Sequence, residues 1–198
     1  MRLTRLLAAY CLTLALVAAC VLGANHALAG GRLHVTDYDP HIERGALRWM
    51  PEYDWRWLRA LCYQESRLQP RAVSPAGARG LCQFMPGTWG GARRAIGVRD
   101  VNSPRENAYA AGWYMRRQLN IWTWERTDYQ RLQLALAGYN AGAGNILEAQ
   151  RRCDGAVAWE EIQRCLSDVT GHHSAETIGY VEQIPRWYWQ TVCLHASH

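Results

Sequence analysis

Glu65 is the residue of this sequence whose type and position offer the clearest chemistry. Apolar Leu58, Leu61 and Cys62 recur before it at helical spacing, and Glu65 comes one turn further on. The stretch that follows, residues 66–86, is dense in Pro, Gly and Ser and cannot continue a helix. The pattern predicts that Glu65 lies at a helix C-terminus and faces a loop that folds back over it.

The folded-back loop would surround Glu65 with hydrogen-bonding groups and apolar cover. Ser74 and Gln83 supply the polar groups. The apolar side chains of the loop are Leu81, Phe84 and Met85. Burial raises the pKa of a carboxyl group, and a carboxyl that keeps its proton near neutral pH can act as a general acid. The alternative is that Glu65 is an ordinary solvated helical acid.

Three further stretches extend the pattern around Glu65. In chain order the four motifs are Glu65-Ser66, Gly80-Leu81-Cys82-Gln83, Ala135-Leu136-Ala137-Gly138-Tyr139-Asn140-Ala141-Gly142 and Glu176-Thr177-Ile178-Gly179-Tyr180-Val181. Together, over about residues 40–190, they resemble the catalytic domain of the soluble lytic transglycosylases, a family with a goose-type lysozyme-like fold. Cys82 stands where that family usually has Met, and Gly138 stands where it more often has Ala.

The resemblance implies a fold and a reaction. The fold would be mainly α, a single lysozyme-like catalytic domain with an active-site cleft. The reaction would cleave the β-1,4 bond between MurNAc and GlcNAc in peptidoglycan and form 1,6-anhydro-MurNAc. Glu65 would act as general acid and then as general base, with no cofactor. One carboxylate suffices because the C6 hydroxyl of the substrate is an internal nucleophile of high effective molarity.

The same resemblance implies a set of substrate-binding residues. They are Ser66, Ser74, Gly80, Leu81, Gln83, Met85, Tyr139, Asn140, Glu176 and Tyr180. Gln83 and Ser74 would hydrogen-bond the sugar. Leu81 and Met85 would form an apolar floor beneath it. Tyr139 would place its hydroxyl near the acetamido group or the reacting centre.

Structural roles are open alternatives for the last two motifs. Asn140 would hold the loop or the sugar, yet Asn140-Ala141-Gly142 also has the composition of a turn that ends a helix. Glu176 and Tyr180 share one helical face, four residues apart. They would line the cleft and contact the glycan or its peptide, or else be a surface charge beside a core tyrosine.

Three other functions compete with the transglycosylase. A goose-type lysozyme-like muramidase would hydrolyse the same bond with water in place of the C6 hydroxyl. A secreted peptidoglycan-binding module without turnover, or a membrane-anchored scaffold, would not be an enzyme. The presence of Glu65, Gln83 and Tyr139 favours catalysis. Small exported members of this family serve conjugation and secretion machines, phage, or wall turnover, and the sequence does not select among these settings.

Composition predicts one globular domain and excludes some partners. The chain has 198 residues, 49% hydrophobic and 20% charged, which is enough for a sizeable core. The net charge of +5 is modest and unclustered, so it suits an anionic cell-envelope polymer and gives no support for nucleic acid. His172-His173 has no partners at ligand spacing, and no metal is predicted.

Residues 1–29 have the pattern of a bacterial secretory signal peptide. Two arginines precede an uncharged run from Leu6 to Ala24, and a small-x-small cleavage site ends at Ala29. The run is long, so an uncleaved inner-membrane anchor is one alternative. Val17-Ala18-Ala19-Cys20 resembles a lipobox and gives a lipoprotein as the other. All three predict export to the periplasm or cell envelope, with membrane contact only if the leader is retained.

Export makes disulfides available to the cysteines that follow the leader. Cys153 and Cys165 are the predicted pair, closing a short loop around one helix. Cys62 and Cys82 flank Glu65 and would either bridge its helix to the folded-back loop or serve as small buried hydrophobes. The sequence leaves the pairing of Cys62, Cys82 and Cys193 open.

Helix signals divide the chain after the leader into a linker, a domain and a tail. The linker is 30–39, the domain 40–192 and the tail 193–198. Asp39, Asp54 and Ser103 are predicted to cap helices, the last in a capping box with Glu106. The predicted helices run over about 39–49, 55–66, 86–96, 104–122, 128–139, 145–152, 157–166 and 175–192. Pro185 is expected to kink the last one.

Overall fold

Helices make up the regular structure of residues 33–196, the part of the chain that the computed structural model describes. They are α1 Asp39–Trp49, α2 Arg56–Ser66, α3 Pro86–Ile96, α4 Pro104–Leu119, α5 Asp128–Ala141, α6 Ala143–Arg152, α7 Trp159–Ile162, α8 Ser167–Thr170 and α9 Ser174–Ala196. Two 3₁₀ turns, Gln163–Cys165 and Gly171–His173, flank α8. Within these residues the β pairing is limited to isolated bridges in the loop between α2 and α3. The predicted mainly α class is confirmed.

The described residues fall into two compact units. Residues 37–188 form one, and residues 33–36 and 189–196 belong to the other. The apolar core of the first unit is built largely from α2, α4 and α5, whose inward side chains include fully buried Leu61, Met115 and Leu134. This core fixes the relative positions of the helices that carry the predicted motifs.

Two glycines let α1 and α4 approach each other closely. A Cβ added at Gly45 would lie 2.7 Å from the carbonyl oxygen of Ala108, and one at Gly112 would lie 2.5 Å from the carbonyl oxygen of Gly45. Both distances are far inside van der Waals contact, so any larger residue would force the backbones apart. The spacing of α1 and α4 therefore depends on these two positions.

Local signals explain where several helices begin and end. α3 has the predicted bounds because Pro86 fits the first turn and Gly97, with φ of 73°, supplies a left-handed end. α5 begins with a full capping box between Thr127 and Gln130. The Ser103 hydroxyl accepts from the Glu106 amide, as predicted.

The predicted capping box at Ser103 is wrong in its second half. Glu106 turns its carboxylate to the backbone amides of Arg99 and Asp100 instead of to Ser103. Its pKa is lowered, chiefly by those two hydrogen bonds. The acid thus fastens the loop before α4 onto the helix.

The prediction that Asp39 caps α1 is also wrong. Asp39 is the first helical residue, and its buried carboxylate accepts a hydrogen bond of 2.9 Å from Arg59 on α2. An acid before proline is a typical N-cap. A fully buried arginine, however, is costly without an opposite charge, and Asp39 supplies that charge. The tertiary ion pair has overridden the local signal.

Some helix ends differ from the prediction by a few residues. α4 stops at Leu119 instead of Trp122, and α6 starts at Ala143 instead of Asn145. The predicted helix at 157–166 is the short α7 continued by a 3₁₀ turn, and α9 runs on to Ala196. Asp54 does accept from the Arg56 amide at the start of α2.

The leader predictions lie outside the described residues. They concern residues 1–29, and the Cys20 lipobox and the Ala29 cleavage site fall in the same part of the chain. Among residues 33–196 no helix has the length and apolar content to cross a bilayer.

The buried ion pair gives a test of the fold. We expect Asp39→Asn to destabilise the protein by about 3–5 kcal/mol, because it removes the buried carboxylate that accepts from the Arg59 guanidinium. The double variant D39L/R59M removes both charges and should be less destabilised than the single variant. Urea unfolding of the three proteins measures the difference, and a single variant within about 1 kcal/mol of the unaltered protein would contradict a buried pair.

Candidate active site

Glu65 occupies the last turn of α2, where the chain reverses sharply. The residues that follow the helix, Arg67 and Leu68, have φ of 56° and 59°, a left-handed conformation that turns the backbone away from the helix axis. The Tyr180 hydroxyl from α9 donates a hydrogen bond of 2.6 Å to Glu65 Oε1. The predicted position of Glu65 at a helix end is confirmed.

Burial dominates the electrostatics of the Glu65 carboxyl. Loss of water raises its pKa from 4.5 to about 7. The hydrogen bond from Tyr180 works against this shift because it favours the charged form, and the negative charge of Glu176 adds to it. Near neutral pH the carboxyl therefore holds a proton in a substantial fraction of molecules, which is the state a general acid requires.

The loop between α2 and α3 is tied to the end of α2 by Ser66. The Ser66 hydroxyl donates to the Leu81 carbonyl at 2.6 Å and accepts from the Gln69 amide at 3.0 Å. Ser66 itself is buried. The hydroxyl is thus committed within the protein, where it closes the loop over Glu65. The expectation that Ser66 binds substrate stays a prediction.

Cys82 is the most firmly held residue of the loop. Its sulfur is bonded to Cys62 of α2, one turn before Glu65. Its amide donates to the Asn107 side chain at 2.8 Å, and its carbonyl accepts from the Tyr139 hydroxyl at 2.7 Å. Residue 82 therefore joins α2, α4 and α5 at one point. Of the two alternatives for Cys62 and Cys82, the structure has the bridge.

Gln83 follows this anchor with a left-handed backbone, φ of 52°. Its amide nitrogen donates to the carbonyls of Gly80 and Ala72 at 2.9 and 3.2 Å. No described residue donates a hydrogen bond to its Oε1, and the side chain is partly exposed. Gln83 thus presents a fixed acceptor beside the Glu65 region, a geometry compatible with the predicted contact to sugar.

Two residues of the predicted substrate-binding set, Gly80 and Leu81, lie in the interior. Leu81 is fully buried in the core. Gly80 has φ of 85°, and an added Cβ would collide with the Asn107 side chain and the Val101 carbonyl. Both positions are set by packing and backbone conformation, so the expectation that they touch substrate is not supported. Met85, which is 45% exposed at the start of α3, remains accessible.

Ser74 stabilises a turn in the same loop. Its hydroxyl accepts from the Ala78 amide at 3.0 Å, and its own amide donates to the Ala78 carbonyl at 2.9 Å. The side chain is partly exposed, and the structure gives it no contact with Glu65. Its predicted bond to the sugar stays a prediction.

The third motif holds helices together. The Tyr139 hydroxyl donates to the Cys82 carbonyl. The Tyr139 ring packs edge-on against Tyr114, with 5.1 Å between the ring centroids. Burial raises the pKa of Tyr139 well above its ordinary value, and the nearby Glu65 charge adds to the effect. Asn140 Oδ1 accepts from the Thr177 hydroxyl at 2.7 Å. Asn140 therefore ties the end of α5 to α9. The helix also ends at Ala141, as the turn composition predicted, and a contact of Asn140 with the sugar stays a prediction.

The fourth motif divides into a buried and an exposed residue. Tyr180 is buried with its hydroxyl on Glu65, and burial raises its pKa well above the ordinary value. Glu176 is exposed one helical turn earlier and acts on Glu65 through its charge. The structure thus brings Glu65 and Tyr180 into contact, places Tyr139 beside them, and leaves Ser66, Gly80 and Leu81 in the supporting interior.

Four supporting residues were missed by the sequence reasoning: Asn107, Tyr114, Thr177 and Gln64. Asn107 is a buried polar residue in the middle of α4, where nothing local marks it as an anchor for Cys82. Gln64, next to Glu65, accepts from the Trp187 indole at 2.7 Å. Thr177 lies inside a recognised motif and was the one that could have been found.

Among residues 33–196 no three His, Cys, Asp or Glu side chains are grouped to hold a metal ion.

Comparison with known proteins agrees with this geometry. Residues 45–162 match the family model described as Transglycosylase SLT domain. A membrane-bound lytic murein transglycosylase F from Vibrio cholerae (strain El Tor Inaba N16961) is 32% identical over 163 residues, 71% of this chain and 30% of the relative. One of the same name from Photobacterium profundum is 26% identical over 174 residues, 80% of this chain and 33% of the relative. The chain spans about a third of the length of these relatives.

Two solved structures share the fold. The 70 kDa soluble lytic transglycosylase from Escherichia coli gives a TM-score of 0.59 at 21% identity, covering 75% of this chain and 24% of that one. An inactive variant of the lytic transglycosylase Slt from Pseudomonas aeruginosa gives 0.63 at 23% identity, covering 80% of this chain and 25% of that one. The predicted lysozyme-like fold is confirmed.

The disulfide at Cys82 gives a test of how the site is held. We expect C62A/C82A to lose about 3 kcal/mol of stability, because the bridge closes a loop of 20 residues in the unfolded chain. It should also lower activity at temperatures where the protein stays folded, because the loop that carries Gln83 is released from α2.

The matched control is C153A/C165A, which removes the confirmed second bridge, with a separation of 12 residues. It should lose comparable stability while keeping its specific activity. Equal activity of the two double variants, assayed well below both melting temperatures, would contradict a positioning role for the Cys62–Cys82 bridge.

Proposed function

The chain belongs to the transglycosylase SLT-domain family, and from this membership we propose that it is a peptidoglycan lytic transglycosylase. It would cleave the β-1,4 bond between MurNAc and GlcNAc and leave 1,6-anhydro-MurNAc. The observation that carries the proposal is the single carboxyl of Glu65, held at the site with a pKa raised to about 7. The names of the relatives support the substrate and the reaction.

The reaction needs one group that donates a proton in the first step and accepts a different proton in the second. Glu65 protonates the glycosidic oxygen as the bond from that oxygen to C1 of MurNAc breaks, and GlcNAc leaves with the proton. The C6 hydroxyl then attacks C1 and closes the anhydro ring. The proton of that hydroxyl passes to Glu65. No water is consumed, and the carboxyl ends in its starting state. The internal nucleophile supplies the high effective molarity that a bound water would otherwise need.

Most glycosidases use two carboxyl groups, one as acid and one as base or nucleophile. Here Glu176 is exposed, and its charge acts on Glu65 by raising the pKa. That arrangement favours a protonated Glu65 without providing a buried second carboxylate. The positive charge that develops at C1 would then be stabilised by the acetamido group of the substrate itself.

The substrate would lie against the accessible residues of the site. Gln83 offers a fixed acceptor for a sugar hydroxyl or amide, and Met85 offers exposed apolar surface to a pyranose face. Tyr180 would keep the Glu65 carboxyl oriented by its 2.6 Å hydrogen bond. Tyr139 would act through Cys82, by holding the loop that carries Gln83.

The place of action is proposed from the leader and the relatives. The relatives are named membrane-bound, and residues 1–29 have the pattern of an export signal. We infer that the domain works in the periplasm or cell envelope, where peptidoglycan lies and where its two described disulfides would persist. A secretion, conjugation or phage machine as partner stays a proposal without structural support.

The reaction products test the proposed function directly. Purified sacculi digested with the protein should release muropeptides that end in 1,6-anhydro-MurNAc, detected by mass spectrometry as products lacking one water. We expect Glu65→Gln to reduce their formation by about 10²–10⁴-fold, because it removes the proton donor. Glu43→Gln, at an exposed acid of α1, is the charge-matched control and should leave the rate unchanged.

Reducing-end MurNAc in place of the anhydro sugar would identify a hydrolase of the same bond. Binding to sacculi without any released product would identify the non-catalytic module. Full activity of the Glu65→Gln variant would refute the role of Glu65 in either enzyme.

The pH dependence of the rate tests the environment of Glu65. Because catalysis needs the protonated carboxyl, kcat/KM should fall as pH rises through about 7. Tyr180→Phe removes a hydrogen bond that favours the ionised form, so the pKa rises and the fall moves to higher pH. Glu176→Gln removes a neighbouring negative charge, so the pKa drops and the fall moves to lower pH.

The opposite directions of the two shifts make the test specific. A general loss of folding or binding would lower both rates without moving the midpoints apart. Midpoints that shift together, or that do not move in either variant, would contradict the assignment of the high-pH limb to Glu65.

A further inference from the structure

The end of α2 is held by α9 at a second point beside the contact between Tyr180 and Glu65. The indole N–H of Trp187 donates to Gln64 Oε1 at 2.7 Å, and Gln64 directly precedes Glu65. Tyr180 and Trp187 are separated by about two helical turns, so both lie on one face of α9. Two consecutive residues of α2 therefore each have a hydrogen-bonding partner on the same face of α9.

The ring of Trp187 is fixed by two further residues from the end of α2. Its centroid lies 4.9 Å from that of Tyr63, in an edge-on arrangement. The Arg67 guanidinium lies over both rings, 4.8 Å from the centroid of Tyr63 and 5.0 Å from that of Trp187. Arg67 also donates to the Tyr63 carbonyl at 3.1 Å. These contacts restrict the indole to the position in which it reaches Gln64.

The titratable groups that act on Glu65 come from α9 and α5. From α9, the Tyr180 hydroxyl donates to the carboxyl, and the negative charge of Glu176 raises its pKa. From α5, Tyr139 lies near enough for its charge and that of Glu65 to interact. Arg67, only two residues after Glu65, directs its guanidinium to the aromatic pair instead. Among these groups, Tyr180 is the one that forms a hydrogen bond with the carboxyl.

We propose that Trp187 is a positioning residue for the reaction, which acts by holding Tyr180 against Glu65. The inference rests on the proposed function, because it takes Glu65 as the group that transfers the proton. The 2.6 Å bond joins side chains of two different helices, so it tolerates little movement of one helix relative to the other. Trp187 and Gln64 resist that movement because they join the same two helices. The single N–H of the indole is used by Gln64, so Trp187 acts on Glu65 through position.

A titration without turnover tests the proposal. NMR of protein isotope-labelled at the glutamate side-chain carboxyls follows the signal of Glu65, which is assigned by its loss in Glu65→Gln. Trp187→Phe keeps an aromatic ring and removes the N–H. We expect it to raise the pKa of Glu65, because a loosely held Tyr180 stabilises the charged form less. Gln64→Met removes the acceptor of the same hydrogen bond and should raise that pKa likewise.

The double variant Y180F/W187F shows by which route Trp187 acts. Because the effect passes through the Tyr180 hydroxyl, the pKa of Glu65 in the double variant should equal that in Tyr180→Phe alone. Trp124→Phe is the matched control, since it makes the same substitution at a tryptophan that is 64% exposed in the loop between α4 and α5. It should leave the pKa of Glu65 unchanged.

The kinetic counterpart is a loss in kcat. Trp187→Phe should lower kcat on soluble glycan strands by about 2–10-fold, the range expected for one neutral hydrogen bond. KM should stay the same, because the N–H that is removed bonds within the protein. The fall of the rate at high pH should move to higher pH, as in Tyr180→Phe.

Three results would overturn the proposal. They are an unchanged or lowered pKa of Glu65 in Trp187→Phe or Gln64→Met, an equal change in Trp124→Phe, and a pKa in the double variant above that in Tyr180→Phe. Where Trp187→Phe folds poorly, Gln64→Met alone and combined with Tyr180→Phe gives the same comparison. A pKa that depends on Trp187 through Tyr180, together with products lacking the anhydro sugar, would retain the positioning role and refute the transglycosylase reaction.

Discussion

This site depends on the desolvation of the Glu65 carboxyl. In place of water, the carboxyl has one hydrogen bond from a neutral donor. The groups that touch it or stand beside it, Tyr180 and Tyr139, are both tyrosines that stay protonated because they are buried. No arginine forms an ion pair with Glu65 among the described residues, although the chain has 22 basic residues and all are arginine. A cation there would stabilise the ionised form and remove the proton that catalysis needs.

Neutral contacts must therefore do the positioning that ion pairs often do elsewhere. Cys82 is an example. Its sulfur is held by a disulfide, its amide by an amide side chain and its carbonyl by a tyrosine hydroxyl, and none of these groups is charged. The buried charges of the unit, Asp39 and Arg59, neutralise each other on α1 and the first half of α2. Within the described residues no cation pairs with the Glu65 carboxyl, and the charge of Glu176 that acts on it is negative.

The sequence predicted what local signals determine. The bounds of α3 follow from Pro86 and Gly97, and the position of Glu65 follows from the helical spacing before it and the breaking residues after it. Motif resemblance also located Tyr180, whose hydroxyl reaches Glu65 across 115 positions of the chain. These features could be predicted because each one is determined by a short stretch of sequence or by a recurring motif.

The sequence could not predict which motif residues are accessible and which are buried in the interior. Three motif residues have packing roles. A Cβ at Gly80 would collide with Asn107, Leu81 packs in the core, and the Ser66 hydroxyl donates to the Leu81 carbonyl. The Tyr139 hydroxyl donates to a backbone carbonyl, and that hydrogen bond depends on where α5 meets the loop. The role of Asn107 depends on a contact between distant segments of the chain. Such roles are set by tertiary geometry, which motif spacing does not encode.

The most direct test of the central claim is the unfolding free energy of the unaltered protein and of Glu65→Gln, measured from pH 4 to pH 9. A carboxyl whose pKa is about 7 in the folded protein and 4.5 in its ordinary state stabilises the fold fully below the lower value. Between the two values that stabilisation is lost, so the unaltered protein should fall relative to the variant by up to about 3 kcal/mol. A difference that does not change with pH, or one that changes in favour of the unaltered protein, would contradict a protonated Glu65.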